Sequence, residues 1–340
     1  MKIIIDAMGG DHAPGEIVQG ALDAAKEFNV EITLVGRGEE ILQCMKERGV
    51  ENLPAGVEIA HADDVVDMHD DPSKVMHQRK NSSMLVGLKM LADGKGDAVI
   101  SAGSTGALLT AATLLVKRVR GIRRAALCPV IPTDNGGTVL IDCGANAECT
   151  PEYLLQFGFM GAIYARNELG KENPKVGLLN IGAEDSKGTP LQLEAYKLLQ
   201  AAHEAGQLNF YGNVEARDVM EGVVDVIVAD GFSGNIMLKT IEGTALFMFG
   251  LMKQGFKQSL RTKIGYLLSK PGLRPLKKKL DYNETGGTLL LGITKPVIKA
   301  HGSSKSRAIY SAVRQAMSIV EHDVCGGVKD AVGMMQIPKE

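Results

Sequence analysis

Lys2-Ile3-Ile4-Ile5-Asp6-Ala7-Met8-Gly9-Gly10-Asp11-His12-Ala13-Pro14 opens the chain with a β-branched run that ends in an aspartate and two glycines. A helical pattern over Gly15–Phe28 follows, then a second β-branched run at Glu31–Val35. The order recurs. Further strands are expected at Ala98–Ser101, Thr138–Asp142, Lys175–Asn180, Leu208–Tyr211 and Val224–Ala229, with helices at Thr105–Arg118, Tyr153–Glu168 and Pro190–Ala201. Strand–helix alternation predicts an α/β fold with a mainly parallel sheet covered on both faces. Ligands of such sheets bind at the carboxyl ends of the strands, where glycine-rich turns lead into helices.

The bulk properties narrow the function classes. A chain of 340 residues buries a large core, and 40 glycines beside only 12 prolines, with no Gly-X-Y period, read as tight turns. The formal net charge of −2 gives no nucleic-acid footprint. Cys44, Cys128, Cys143, Cys149 and Cys325 form no CxxC pair and no zinc spacing, which suits reduced thiols in a cytosol. The N-terminal apolar run is too short for a signal peptide, and no stretch reaches the roughly 18 apolar residues of a membrane span. A cytoplasmic protein is expected, with room for peripheral membrane contact.

Glycine-rich stretches at predicted strand ends carry the chemistry. Ser101-Ala102-Gly103-Ser104-Thr105-Gly106 has the converging N–H groups, hydroxyls and helix N-terminus of a phosphate cradle. The same residues equally describe a capped turn. Asn180–Thr189 resembles a P-loop but reads Lys187-Gly188-Thr189 where Gly-Lys-Thr is required, so a nucleoside triphosphate is rejected. Lys187 still offers a point charge to phosphate or an oxyanion, against the plainer reading of a surface lysine paired with Glu184 or Asp185. In Asp230-Gly231-Phe232-Ser233-Gly234-Asn235, the Asn235 amide can donate to a carbonyl or phosphate, while Ser233 or Asn235 reads otherwise as a helix cap. Cys143 lacks a neighbouring histidine and reads as structural. His61–Asp71 looks like an acidic loop more than a metal site, and Gly36-Arg37-Gly38 fails as a dinucleotide fingerprint because Ile41 stands where the third glycine belongs.

Ile5–Pro14, followed in order by Ser101–Ala107, Asp142–Asn146, Gly182–Gly188, Asn213–Asp218 and Asp230–Lys239, resembles the PlsX-type phosphate acyltransferases of bacterial phospholipid synthesis over nearly the whole chain. The resemblance implies a homodimeric, three-layer α/β/α Rossmann-like sandwich, related to phosphotransacetylases and isocitrate-dehydrogenase-like folds. It implies transfer of a fatty acyl group from acyl carrier protein to inorganic phosphate. The acyl phosphate would pass to a membrane glycerol-3-phosphate acyltransferase of the PlsY type.

On that reading Ser101, Gly103, Ser104, Thr105 and Gly106 bind phosphate, and Lys187 and Asn235 stabilise charge. His12 is a proton relay or a structural turn histidine, and Asp6, Asp11, Asn146 and Ser233 shape the mouth. No cofactor, metal or nucleic acid is expected. Phosphate attacks a thioester directly, so no Ser-His-Asp set is needed. Competing readings are a short-chain phosphotransacetylase using coenzyme A, a dehydrogenase of the related group, and a non-catalytic membrane scaffold.

The chain is expected to form one catalytic α/β domain over 1–340, with a basic helical insertion over 243–280 for dimer or membrane contact. From Gly243 to Leu280 there is no Asp or Glu, and Met252, Phe256, Leu260, Ile264 and Leu267 recur at helical spacing. Pro271 and Pro275 are expected to end that helix before Lys277-Lys278-Lys279. For an acidic carrier protein the first candidate surface is Lys117, Arg118, Arg120, Arg123 and Arg124, and the second is Arg79 with Lys80.

Overall fold

The computed structural model describes residues 1–279 and 286–335, with the backbone alone for 274–279. Strands β1–β4 are Lys2–Asp6, Glu31–Gly36, Val57–His61 and Ala98–Ser101. β5–β8 are Ala126–Cys128, Val130–Ile131, Thr138–Ile141 and Val176–Asn180, and β9–β12 are Phe210–Glu215, Val226–Val228, Thr288–Leu291 and Val297–Lys299. Helices α1–α4 are Gly15–Phe28, Gly38–Glu47, Val75–Gln78 and Ser83–Ala92; α5–α8 are Thr105–Ala112, Pro151–Leu169, Pro190–Glu204 and Gly231–Lys257. α9 is Leu260–Lys279, α10 is Ser306–Glu321 and α11 is Val324–Ala331.

The strands divide between two sheets. One has seven strands in the order β3-β2-β1-β4-β12-β11-β5, the other five in the order β6-β7-β10-β8-β9. Pairing is parallel except where β11 meets β12 and β5, and where β6 meets β7. β1 is apolar over three successive residues because both its faces are covered: Ile3 and Ile5 join the core beneath α1 and α10, while Ile4 joins the core beneath α4, and all three are fully buried. A strand covered on both faces loses the alternation of a half-exposed one. In the second sheet Val226 and Val228 face α6, and Ile227 faces the start of α8.

Three elements differ from their sequence readings. The helix expected over Thr105–Arg118 ends at Ala112 and passes into a π-helical turn, Thr113–Lys117, where Lys117 takes a φ of 75°. The strand expected at Leu208–Tyr211 runs instead over Phe210–Glu215. An irregularity in the β8–β9 register lets Gly212 pair with Gly177 and the strand continue. In the insertion, α9 carries Pro271 and Pro275 within it, and the chain breaks earlier, at Gln258 and Ser259. The Ser259 and Thr262 side chains bond across that break, satisfying polar groups of the new helix start. Leu280 lies outside the described residues.

α1 and α10 pack closely because Gly20 lacks a side chain: a Cβ there would sit 2.4 Å from the Ser306 carbonyl oxygen and 2.7 Å from Ile309 Cβ. Both obstacles belong to packed structure, so Gly20→Ala should cost about 1–3 kcal/mol, the usual penalty for overpacking. Urea unfolding checks this; an unchanged midpoint would mean that α10 yields without strain.

Candidate active site

The mouth of the seven-stranded sheet is built around Asp6, at the carboxyl end of β1 and almost fully buried. Ser101 Oγ, at the end of β4, donates to Asp6 Oδ2 at 2.6 Å and accepts the Gly103 N–H at 3.1 Å. Burial pushes the Asp6 carboxyl above the ordinary carboxylate range, against the opposing effect of these hydrogen bonds. Ser101 is therefore spent on holding two strand ends together. Ser104 forms the N-cap position of α5, with Thr105 and Gly106 in its first turn. Gly10, at φ 100°, turns the chain so that the Asp11 N–H donates to the Gly302 carbonyl at 2.8 Å. Asp11 and His12 are exposed, and the His12 imidazole makes no hydrogen bond among the described residues.

The acidic stretch after β3 covers this mouth. A Cβ at Gly106 would meet Pro72 Cγ at 2.8 Å, and one at Gly302 would lie 3.9 Å from Met68. Arg79 latches the stretch, with Nη1 3.1 Å from Asp64 Oδ1 and Nε 2.9 Å from Asp70 Oδ2. Its bond to Asp70 holds that carboxyl below the ordinary range. Among the described residues no group of three or more His, Cys, Asp or Glu is placed to hold a metal.

The five-stranded sheet repeats the device with Asp142, directly after β7 and fully buried. Its carboxylate accepts five hydrogen bonds: from the N–H groups of Leu127, Cys143, Ala145 and Asn146, and from Asn146 Nδ2. The other Asn146 amide hydrogen goes to the Ala125 carbonyl at 2.8 Å, leaving that amide no donor for a ligand. Asp230 caps α8, accepting from Ser233 N and Ser233 Oγ at 2.8 Å each. Asn235 falls in the second turn of α8, exposed, with its side-chain atoms 3.6–3.8 Å from where a Gly144 Cβ would stand. α8 can lie this close to β7 because a Cβ at Gly234 would sit 2.0 Å from the Asp142 carbonyl oxygen. Burial drives the Cys143 thiol far above its ordinary value, so it is no nucleophile.

Lys187 stands on the loop after β8, exposed, with no ion-pair partner among the described residues. Its carbonyl accepts from Asn180 Nδ2 at 3.0 Å, which fixes the loop.

Three basic residues at the junction of the two mouths escaped the motif reading: Lys299 at the end of β12, His301 just beyond it, and Lys239 on α8. Lys239 bonds Glu242 at 2.7 Å, and its charge reaches both Lys299 and His301. Lys299-Ala300-His301-Gly302-Ser303-Ser304 follows an apolar strand and precedes a helix, the same signal that exposed the other mouths. Two cavities, ≈ 550 Å³ beside Phe159 and His203 and ≈ 490 Å³ along α7, lie away from this junction.

Residues 1–326 match the family model described as fatty acid synthesis protein. A phosphate acyltransferase from Thermoanaerobacterium thermosaccharolyticum is 46% identical over 98% of both chains. One from Geobacillus thermodenitrificans is 48% identical over 97% of this chain and 98% of its own. Among solved structures, a phosphotransacetylase from Streptococcus pyogenes superposes with a TM-score of 0.64 at 17% identity, covering 95% of this chain and 94% of that one. A 4-hydroxythreonine-4-phosphate dehydrogenase from Burkholderia phymatum gives a TM-score of 0.51 at 14% identity, covering 96% and 97%. The fold is thus shared with phosphotransacetylases and with a dehydrogenase group, and the chain belongs to the PlsX-type phosphate acyltransferase family.

Asp142→Ala should orphan several buried N–H groups at about 1–3 kcal/mol each and lower stability by at least about 3 kcal/mol in chemical denaturation. Asp142→Asn, which keeps one acceptor oxygen, should lose less. Equal, small losses would show that the turn finds other partners.

Proposed function

We propose that the chain transfers a fatty acyl group from an acyl-carrier-protein thioester to inorganic phosphate, giving an acyl phosphate and the free carrier thiol. The observation that carries the reading is the pair of glycine-rich strand-end mouths, with Asn235 exposed near the start of α8 beside Gly144 and with all five cysteine thiols pushed up in pKa by burial, away from nucleophilic use. The name its close relatives bear supports the same reaction. A phosphate oxygen attacks the thioester carbonyl carbon, the tetrahedral oxyanion collapses, and the C–S bond breaks with the electron pair leaving on sulfur. The protein's task is to align the two substrates and stabilise the oxyanion.

Asn235 and Lys187 are the donors for that oxyanion or for phosphate, with the first turn of α5, Ser104 to Gly106, facing the same anion. Asp6, Asp11, Ser101, Asn146 and Ser233 hold the walls. Loss of one preorganised donor costs about 10²–10³ in turnover, so Lys187→Ala and Asn235→Ala should each show that loss with folding unchanged. The assay is phosphate-dependent release of carrier thiol from purified acyl carrier protein. Acyl-coenzyme A tested in parallel distinguishes a short-chain phosphotransacetylase. Near-wild-type turnover in both variants removes them from the mechanism.

An acidic carrier protein would dock on the exposed bases Lys117, Arg120, Arg123 and Arg124. Buried Gln156 fixes that loop by accepting the Arg123 N–H at 2.8 Å and donating to the Gly121 carbonyl at 3.0 Å. Arg79 is held by two carboxylates, Asp64 and Asp70, and is less suited than Arg123, which has Glu152 alone. Attraction of this kind is salt-sensitive.

The helical pair α8–α9 extends beyond the body with Leu246, Phe247, Leu260, Leu267 and Leu268 each more than 60% exposed. Apolar surface on that scale marks an interaction site. The first half of the 243–280 segment, the part of α8 from Gly243 onward that carries Leu246 and Phe247, supplies the contact with a second copy of the chain. The α9 end lies on an anionic membrane, where Lys257, Arg261, Lys263 and Lys270 each add about 1 kcal/mol. The acyl phosphate is thereby released beside a membrane glycerol-3-phosphate acyltransferase. No described helix is long and apolar enough to cross a membrane. Replacing Leu267 and Leu268 with Glu should abolish co-sedimentation with anionic vesicles at low salt and spare turnover of soluble substrate. Failure of the wild-type protein to co-sediment defeats the membrane role.

A further inference from the structure

The loop that carries Lys187 is gripped by two asparagines. Asn180 ends β8, and Asn213 stands opposite Leu178 in the β8–β9 register, two residues before Asn180, so both amides share one face of the sheet. Asn180 Nδ2 donates to the Lys187 carbonyl at 3.0 Å, and Asn213 Nδ2 donates to the Glu184 carbonyl at 2.7 Å. The Lys187 N–H itself closes on the Glu184 carbonyl at 3.2 Å. Glu184 and Lys187 are therefore the two ends of one turn, and each asparagine holds one end. The lysine side chain is confined as well: a Cβ at Gly182 would lie 3.0 Å from Lys187 Cγ, so the stem runs close over that glycine.

Packing alone does not account for Asn213. It is 5% exposed, in a strand whose residues Phe210 and Val214 belong to the apolar core. A buried amide is costly unless it is hydrogen-bonded. Here Nδ2 bonds the Glu184 carbonyl, while Oδ1 is buried without a partner among the described residues. An apolar side chain would serve the core better, so the donor end of this amide is what the position requires. The bond also gives a task to the first residue of the Asn213–Asp218 stretch. Its remaining charges pair among themselves, Arg217 with Glu215 at 3.0 Å and with Asp218 at 3.4 Å.

We propose that Asn213 is a positioning residue for acyl transfer: by fixing the Glu184 end of the turn, it holds the Lys187 ammonium where phosphate or the oxyanion is met. The inference deepens the phosphate acyltransferase reading and rests on it for the task of Lys187. A lysine on an exposed loop is a point charge on a flexible stem, and it stabilises a transition state only as far as it is in place beforehand. Asn180 fixes one end of the turn and leaves it free to pivot. The second grip, from the neighbouring strand, removes that pivot. A displacement of about 1 Å at a reacting group costs on the order of 10² in rate.

Turnover of the full-length protein in the carrier-thiol assay, measured as a double-mutant cycle with Lys187, tests the role. Asn213→Ala should lower turnover on the order of 10²-fold in the otherwise native chain. In Lys187→Ala, where no ammonium remains to be positioned, the same change should cost less than about twofold. Asn213→Asp keeps the size of the side chain and loses the donor only when ionised. Its buried carboxyl would face a carbonyl oxygen, which raises its pKa above the ordinary carboxylate range. As pH falls through that pKa the carboxyl gains an O–H donor in place of the amide, so the ratio of variant to wild-type turnover should rise; as pH climbs it should fall. This second variant carries the test if Asn213→Ala folds poorly, because the comparison is made within one protein. Equal losses from Asn213→Ala in both backgrounds, or an Asn213→Asp ratio that does not change with pH, overturn the positioning role even where Lys187→Ala is severely impaired. Near-wild-type turnover of Lys187→Ala overturns instead the task given to Lys187, and the positioning role with it.

Discussion

Two buried carboxylates organise this molecule. Asp6 ends β1 and Asp142 follows β7, each at a sheet's carboxyl edge, and each collects hydrogen bonds from turns that would otherwise have to satisfy their polar groups in water. Burying a carboxylate is costly unless its lone pairs are filled. Asp142 fills them with backbone N–H groups from its own turn and from β5, and so locks the start of the helix-bearing half of the protein. Asp6 fills them with Ser101 and Met8, and so locks β1 to β4. Ser101 hangs from the first anchor and Asn146 from the second, while Ser233 is held by Asp230 and the Lys187 loop by Asn180.

The anchors also set the electrostatics. Near the first anchor, burial holds the pKa of Lys299 down, and no carboxylate lies within ion-pair distance of it among the described residues, whereas Lys239 is paired with Glu242. An environment of that kind suits anion binding better than covalent catalysis. Cys128 and Cys143, the thiols nearest Asp142, are driven away from the thiolate form by the same burial. The chemistry left to the protein is to align phosphate with the acyl group it receives.

Outside the body the physics changes. α8 buries only Gly231, Gly234 and Met237, all in its first two turns, and then runs out with α9 as its partner. Phe256 and Tyr266 stack at 5.1 Å near the bend, which gives the pair a small core of its own. The stripe read as continuous from Met252 to Leu267 is divided by that bend. Met252 and Phe256 turn partly inward, while Leu260, Ile264 and Leu267 face out. The hairpin presents its apolar surface to whatever covers it.

Local patterning alone determined that this is an α/β protein with parallel strands. β1, β4 and α1 end where the sequence places them, since a β-branched run stopped by Asp-x-x-Gly-Gly, or a helix stopped before Asn29, is specified within a few residues. Strand ends with glycine-rich turns were legible too, and three of them lie around the crevice. The split into two sheets was not legible, because period-2 and period-3.6 signals carry no record of which strands pair. The roles of Ser101 and Asn146 were hidden for a similar reason: a hydroxyl or amide in a turn looks the same in sequence whether it meets a ligand or a buried carboxylate 95 or 4 residues away. Lys239 lies on α8, far in sequence from Lys299 and His301 at the end of β12, and the packing of α8 against the end of β7, through a glycine that admits the Asp142 carbonyl, is what only the tertiary structure decided.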